Sequence, residues 1–226
     1  GIRLCTLILF LLTEMKNFKK SDSLSQKNLE LAGIGTVSDQ LPLIGFNRAI
    51  VKFGIESLRK TKRLGLKKLF EISNIDQDKI GTYEINYGIA PRINASGRIA
   101  SGLDGLRLLC TTDENRAESL AIELNKLNLE RQEMVKNLVE IAESQVGEEK
   151  LIVVSHKDFH EGVIGLIASR LVEKFYRPSI VISLGEEIGK ASARSIKGFS
   201  IVDAITKHKE LIIEGGGHDM AAGFSI

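Results

Sequence analysis

Hydrophobic and polar positions along this chain fall into blocks whose spacing changes character twice. Leu4 to Leu12 is an apolar run broken only by Thr6. It is shorter than the roughly 20 residues a membrane span requires, and it lacks the basic lead and small-residue cleavage site of a signal peptide. It reads as a core helix ending near Met15. Residues 16–28 are polar and aperiodic, the pattern of a surface loop. Leu31 to Ser38 is apolar, small and glycine-punctuated. With Pro42 just beyond, it predicts a buried strand that delivers Asp39 at its end. Helical spacing follows over 47–60. In the six basic residues of 59–68, interleaved with leucines, two readings stay open: a solvated helix and turn, or a nucleic-acid patch.

The longest helical pattern covers 113–143, with Ala117, Leu120, Leu124, Leu127 and Leu138 on one stripe and Thr111 and Glu114 as a capping box. Gly147 ends it. The pattern then becomes strand (LIVVS), helix (HEGVIGLIASRLVEKF) and strand (PSIVIS), which predicts an α/β unit from about Lys150 and a long helix between two α/β lobes.

The chain has 226 residues, of which 43% are hydrophobic, enough for a proper core and against a disordered or fibrous protein. A net charge of +2 gives no global pull on a polyanion, so any nucleic-acid site must be a local patch. Cys5 and Cys110 lack CxxC spacing and sit in apolar runs, where they read as small packed hydrophobes in a reducing, cytoplasmic compartment. The opening residue is Gly1, and the apolar start looks like a cut inside a larger protein.

Four clusters set polar residues among small ones: 35–43, 91–98, 189–195 and 214–223. Small residues matter there because backbone N–H groups reach a phosphate only where side chains do not intervene. Asp39 offers a hard oxygen donor suited to Mg²⁺ or Mn²⁺, or it caps the next turn. Arg92, Asn94 and Arg98 have the composition of a phosphate clamp, with surface salt bridges as the alternative. Ser192 and Arg194, at alternate strand positions, share a face. Gly215 to Gly217 before His218 suggest a backbone cradle with a histidine donor, or a tight turn. His160 and Glu161 open the helix after LIVVSHKDF, where a helix N-terminus favours anions. His156 and His208 read as surface residues. No HExxH or CxxC spacing occurs, and no Asp-His-His tripeptide, so no complete metal centre is legible.

In this order, and with the long helix between the second and third, the clusters resemble the RecJ family of the DHH phosphoesterase superfamily. GTVSDQLPL is similar to its GTxADxxPL motif, PRINASGR to PRxNAAGR, HEGVIGLIASRLVEKFYRP to the opening of its DHH-associated domain, and GGGHDMAAGFSI to the glycine-rich motif closing that domain. The resemblance covers nearly everything from Leu29 onward. It implies an α/β protein: residues 1–112 ending a DHH catalytic domain, 113–147 as connecting helix, and 148–226 as a smaller DHH-associated domain. The implied activity is metal-dependent 5′-to-3′ hydrolysis of single-stranded DNA in recombination and repair, using two divalent cations, Mn²⁺ or Mg²⁺. Asp39 is then a metal-binding and catalytic aspartate, and Arg98 grips the substrate backbone near the scissile phosphate. Ser192 and Arg194 bind the 5′ phosphate, and Gly216, Gly217 and His218 form a substrate loop. Arg92, Asn94 and His160 match motif positions on the substrate side.

The superfamily's aspartate-rich and Asp-His-His motifs do not occur in this chain. The resemblance therefore implies an exonuclease of which these residues alone are an inactive piece. Single-stranded DNA is the expected partner, with a single-strand-binding protein or helicase beside it and no membrane. Two other readings remain: a nanoRNase or small-phosphoester hydrolase of the same superfamily, and a non-catalytic single-strand-binding or replication scaffold. Phe159 stands where the family pattern often has a tryptophan; either aromatic could stack a base or fill core, and the core is the expected place.

Overall fold

Small residues decide the first element. In the computed structural model, which describes residues 28–226, Leu29–Ser38 is a helix, α1, where the pattern predicts a strand. Burial runs unbroken from Ala32 to Val37, so the polar stripe that marks a helix in sequence is missing. Gly33 of α1 lies against Gly54 of α2 (Gly45–Arg59), and a Cβ on Gly54 would stand 2.8 Å from the Gly33 Cα. The expected helix at 4–15 and most of the expected loop at 16–28 lie outside the described residues.

α3 is Leu64–Ile72, and Gly65 in it leaves room for the Leu108 carbonyl of α5 (Leu103–Cys110). The basic stretch before α3 turns partly inward. The Arg63 Nε donates to the buried Glu30 carboxylate at 2.7 Å, its Nη1 to the Leu109 carbonyl and its Nη2 to Asn28. The Ser57 hydroxyl donates to the other Glu30 oxygen. Arg59 donates to the Ile80 carbonyl, while Lys60, Lys62 and Lys67 stay exposed. A π-helical segment, Glu84–Ile89, runs directly into α4 (Ala90–Ile99). Leu58, Leu66, Leu69, Ile85, Ile89 and Leu108 are fully buried in one cluster.

α6 is Glu114–Ser144. Its cap is two residues later than expected: Asp113 Oδ1 accepts from the Arg116 N–H at 2.7 Å, and the Thr111 hydroxyl accepts from Asp113. Glu114, freed from the predicted capping box, pairs with Lys68 at 3.3 Å. Cys110 is an exposed free thiol, not a packed one.

The chain divides into two compact units, 1–128 and 129–226. All described strands lie in the second: β1 Ile152–His156, β2 Ser179–Ser183, β3 Lys190–Arg194, β4 Glu214–His218 and β5 Ala221–Ser225, ordered β1-β2-β3-β5-β4. β1 and β2 are parallel, joined through α7 (Ile164–Phe175), and the other pairs are antiparallel. α7 packs on β2 and β3 with Ile167, Ala168 and Leu171 buried. On the opposite face Ala193 and Ala222 pack with Ile201 of α8 (Ile201–Thr206). Phe159 is buried, as expected. At the β1 edge, the Gln145 carboxamide takes both backbone groups of Ser155, accepting from its N–H at 3.1 Å and donating to its carbonyl at 3.2 Å. The overall class is α/β as expected, with a long helix followed by a small sheet domain.

Candidate nucleic-acid interface

Register builds the site in the second unit. Residues directly opposite in paired strands point to the same side of a sheet, so three cross-strand rows can be read from β3 through β5 to β4. The first is Lys190–Ser225–Glu214, the second Ser192–Gly223–Gly216, the third Arg194–Ala221–His218. Lys190 Nζ donates to the Ser225 hydroxyl at 2.8 Å and closes the first row. The middle row is bare backbone beyond Ser192, because Gly223 and Gly216 carry no side chain. A Cβ on Gly216 would meet nothing within 4 Å. The result is a trough with a glycine floor, its outer rows about 13 Å apart by the rise of four strand residues.

The α7 N-terminus closes one side. A Cβ on Gly165, in the first turn of α7, would stand 2.9 Å from Arg194 Nη2 and 3.0 Å from Ser192 Oγ. The hydroxyl and guanidinium therefore sit directly under the positive end of a 12-residue helix. Arg194 Nη1 donates to Ser192 Oγ at 3.2 Å and to the Ala193 carbonyl at 2.8 Å, which fixes the guanidinium beside the hydroxyl. His218 Nδ1 accepts from the Met220 N–H at 3.3 Å, so a neutral ring carries its proton on Nε2 and can donate from there. Hydroxyl, guanidinium, imidazole N–H, a helix terminus and bare backbone are groups whose chemistry suits a phosphate and the chain attached to it.

The structure thus brings together Ser192, Arg194, Gly216 and His218. Gly215 to Gly217 form a strand and not a loop or tight turn. Gly217 points to the opposite face, where a Cβ would collide with the Ala221 carbonyl. His160 and Glu161 do not open α7; they lie in the turn before it, which the His160 carbonyl ties by accepting from Val163 and Ile164. His156 is half-buried beside Phe159 and not a plain surface residue, whereas His208 is exposed. Gly165 lies outside the four sequence clusters, and Gly223, at the end of the last one, is not singled out there. Their signal is a glycine at the start of a helix and in a strand, where its backbone freedom costs stability unless something must come close.

In the first unit the candidates lie on α4 and at the end of α1. Asn94 is exposed and Arg98 half-buried, four residues apart on one helical face. Arg92 lies on another face: its Nε donates to Asn125 of α6 at 2.9 Å and its Nη1 to the Gly88 carbonyl at 2.7 Å. Burial lowers both guanidinium groups below their ordinary range. Asp39 caps the C-terminus of α1 instead of ending a strand, its N–H donating to the Gly35 carbonyl. Among the described residues no three His, Cys, Asp or Glu side chains come together to hold a metal ion. Asp39 alone does not fit a bimetal centre.

The sheet closed by a helix terminus belongs to a recognised class of domain: residues 148–226 match the DHHA1 domain. The chain is RecJ-like. It is 42% identical over 204 residues to the single-stranded-DNA-specific exonuclease RecJ of Bacillus subtilis, covering 88% of this chain and 26% of that protein. The RecJ of Thermus thermophilus is 36% identical over 198 residues, covering 87% of this chain and 29% of that protein. A crystal structure of the Thermus thermophilus RecJ in complex with Mg²⁺ matches 96% of this chain and 34% of its own, at 33% identity and a TM-score of 0.86. A crystal structure of an exonuclease RecJ bound to manganese gives 0.79, over 96% of this chain and 55% of its own. The chain therefore spans between a quarter and a third of the curated relatives named here.

Proposed function

We propose that this chain supplies the substrate side of a RecJ-like exonuclease, a hydrolase that removes nucleotides from the 5′ end of single-stranded DNA. The observation that carries this is the trough: Ser192 and Arg194 under the α7 N-terminus, with the Gly216–Gly223 floor and His218 leading away. A terminal phosphate binds at the hydroxyl, guanidinium and helix end, where a charge-assisted hydrogen bond is strongest. The strand's backbone then lies on the glycines, and the His218 Nε2–H donates to it. His160, before α7, is assigned to the same phosphate.

In the first unit Asn94 and Arg98 contact the strand backbone, and Arg92 acts as a positioning residue that ties α4 to α6. We assign residues 1–112 to the DHH domain and 113–147 to its connector. Asp39 is proposed to contribute one carboxylate to a Mn²⁺ or Mg²⁺ centre whose other ligands lie outside this chain. The exposed Cys110 thiol suits a reducing compartment, and we place the protein in the cytoplasm.

The test is equilibrium binding of the purified chain to single-stranded DNA oligomers with and without a 5′ phosphate, in wild type and in Ser192→Ala, Arg194→Ala. The phosphate is expected to tighten binding about tenfold, and the double variant to lose that increment, since a charged hydrogen bond contributes about 1.5–3 kcal/mol. A phosphate that changes nothing in wild type would overturn the assignment and favour the scaffold reading.

A further inference from the structure

The π-helical segment and α4 form one continuous helical rod from Tyr83 to Ile99. Four residues of a π-helix make slightly less than one turn, and in an α-helix 3, 4 and 7 are the intervals that return to a face. Tyr83, Tyr87, Pro91, Asn94 and Arg98 therefore share one stripe. Burial agrees: Ile85, Ile89 and Ile93 face the core, whereas Tyr83 is 69% and Tyr87 68% exposed. The two rings lie 4.8 Å apart, tilted by 40°. Two large amphipathic rings on a solvated face, in line with an exposed amide and a guanidinium, need a partner that offers both flat apolar faces and anionic oxygens. Unpaired bases on a sugar–phosphate chain offer both, and a stacked base tolerates any sequence because every base has a π-face.

We infer that Tyr83 and Tyr87 form a base-stacking platform for single-stranded nucleic acid, continuous with Asn94 and Arg98, which hold the phosphates. This rests on the single-strand reading above and adds to it a contact with bases, which the phosphate trough does not make. Ordinary duplex cannot use the platform, since its bases are already stacked.

The chain has three tyrosines and no tryptophan, so tyrosine emission reports the platform, with Tyr176 the only other contributor. The experiment titrates the purified chain with oligothymidylate and with an abasic strand of equal length, both 5′-phosphorylated. Oligothymidylate is expected to quench the emission and the abasic strand to leave it unchanged. Tyr83→Leu with Tyr87→Leu should weaken oligothymidylate binding about 5- to 150-fold for each stacked base, with abasic binding unaltered. Tyr83→Phe with Tyr87→Phe should keep the affinity and lose the quenching, which holds even if the leucine variant does not fold. Equal losses on both strands, or unquenched emission with the 5′-phosphate increment intact, would overturn the platform and leave the trough standing. Absence of binding to either strand would overturn both.

Discussion

Glu30 shows what one buried charge demands. It is 4% exposed at the start of α1, and Arg63, Ser57 and the chain around them are arranged to satisfy it. Removing one partner of a buried pair strands the other's charge, which typically costs several kcal/mol. Arg63→Met is therefore expected to lower stability by about 3 kcal/mol in urea denaturation, and Lys62→Met, on the exposed neighbour, by less than about 0.5 kcal/mol. Neither Glu30 nor Arg63 stands out in the sequence, because pairing across 33 positions leaves no local trace. Ser192 and Arg194 are legible because strand alternation alone puts them on one side. Asp39 is legible as a polar residue after an apolar run, but not as the end of a helix.

At the scale of elements, Gly216 and Gly217 of β4 are neighbours in sequence with opposite surroundings. Gly216 faces open space on the trough floor, whereas a Cβ on Gly217 would stand 2.6 Å from the Ala222 Cα. Gly217→Ala is expected to lower the thermal midpoint, with a cost of about 1–3 kcal/mol. Gly216→Ala should leave the midpoint nearly unchanged and weaken binding of 5′-phosphorylated oligomers. Equal effects on stability and binding in both variants would show that the floor is not used. The periodic elements, α6 and the β1–α7–β2 unit, are readable because each has one buried and one exposed side. α1 is not, because small residues let it be covered all round. The glycine run reads as a cradle or turn for a related reason: without side chains, a strand has no alternation to show.

For the whole molecule, the longer relatives and the lack of a metal-holding cluster among the described residues point the same way. Adding Mn²⁺ to the purified chain is expected to leave nucleotide release from a 5′-phosphorylated strand at background. The thermal midpoint should stay fixed too, since a metal held by a real site raises it in proportion to the logarithm of its concentration. Metal-dependent release, or a rising midpoint, would mean that a complete centre forms within these residues.

The Gln145 carboxamide beside Ser155 has a consequence for how such molecules share a crowded solution. An exposed strand edge is a template on which a second polypeptide can crystallise its own backbone, the first step toward fibrous deposits. Here a single amide group from within the same chain occupies the outward backbone groups of Ser155, so a second strand cannot pair without a break along the β1 edge. A stack of copies needs two receptive edges. One borrowed side chain puts a break in one of the two edges of this sheet.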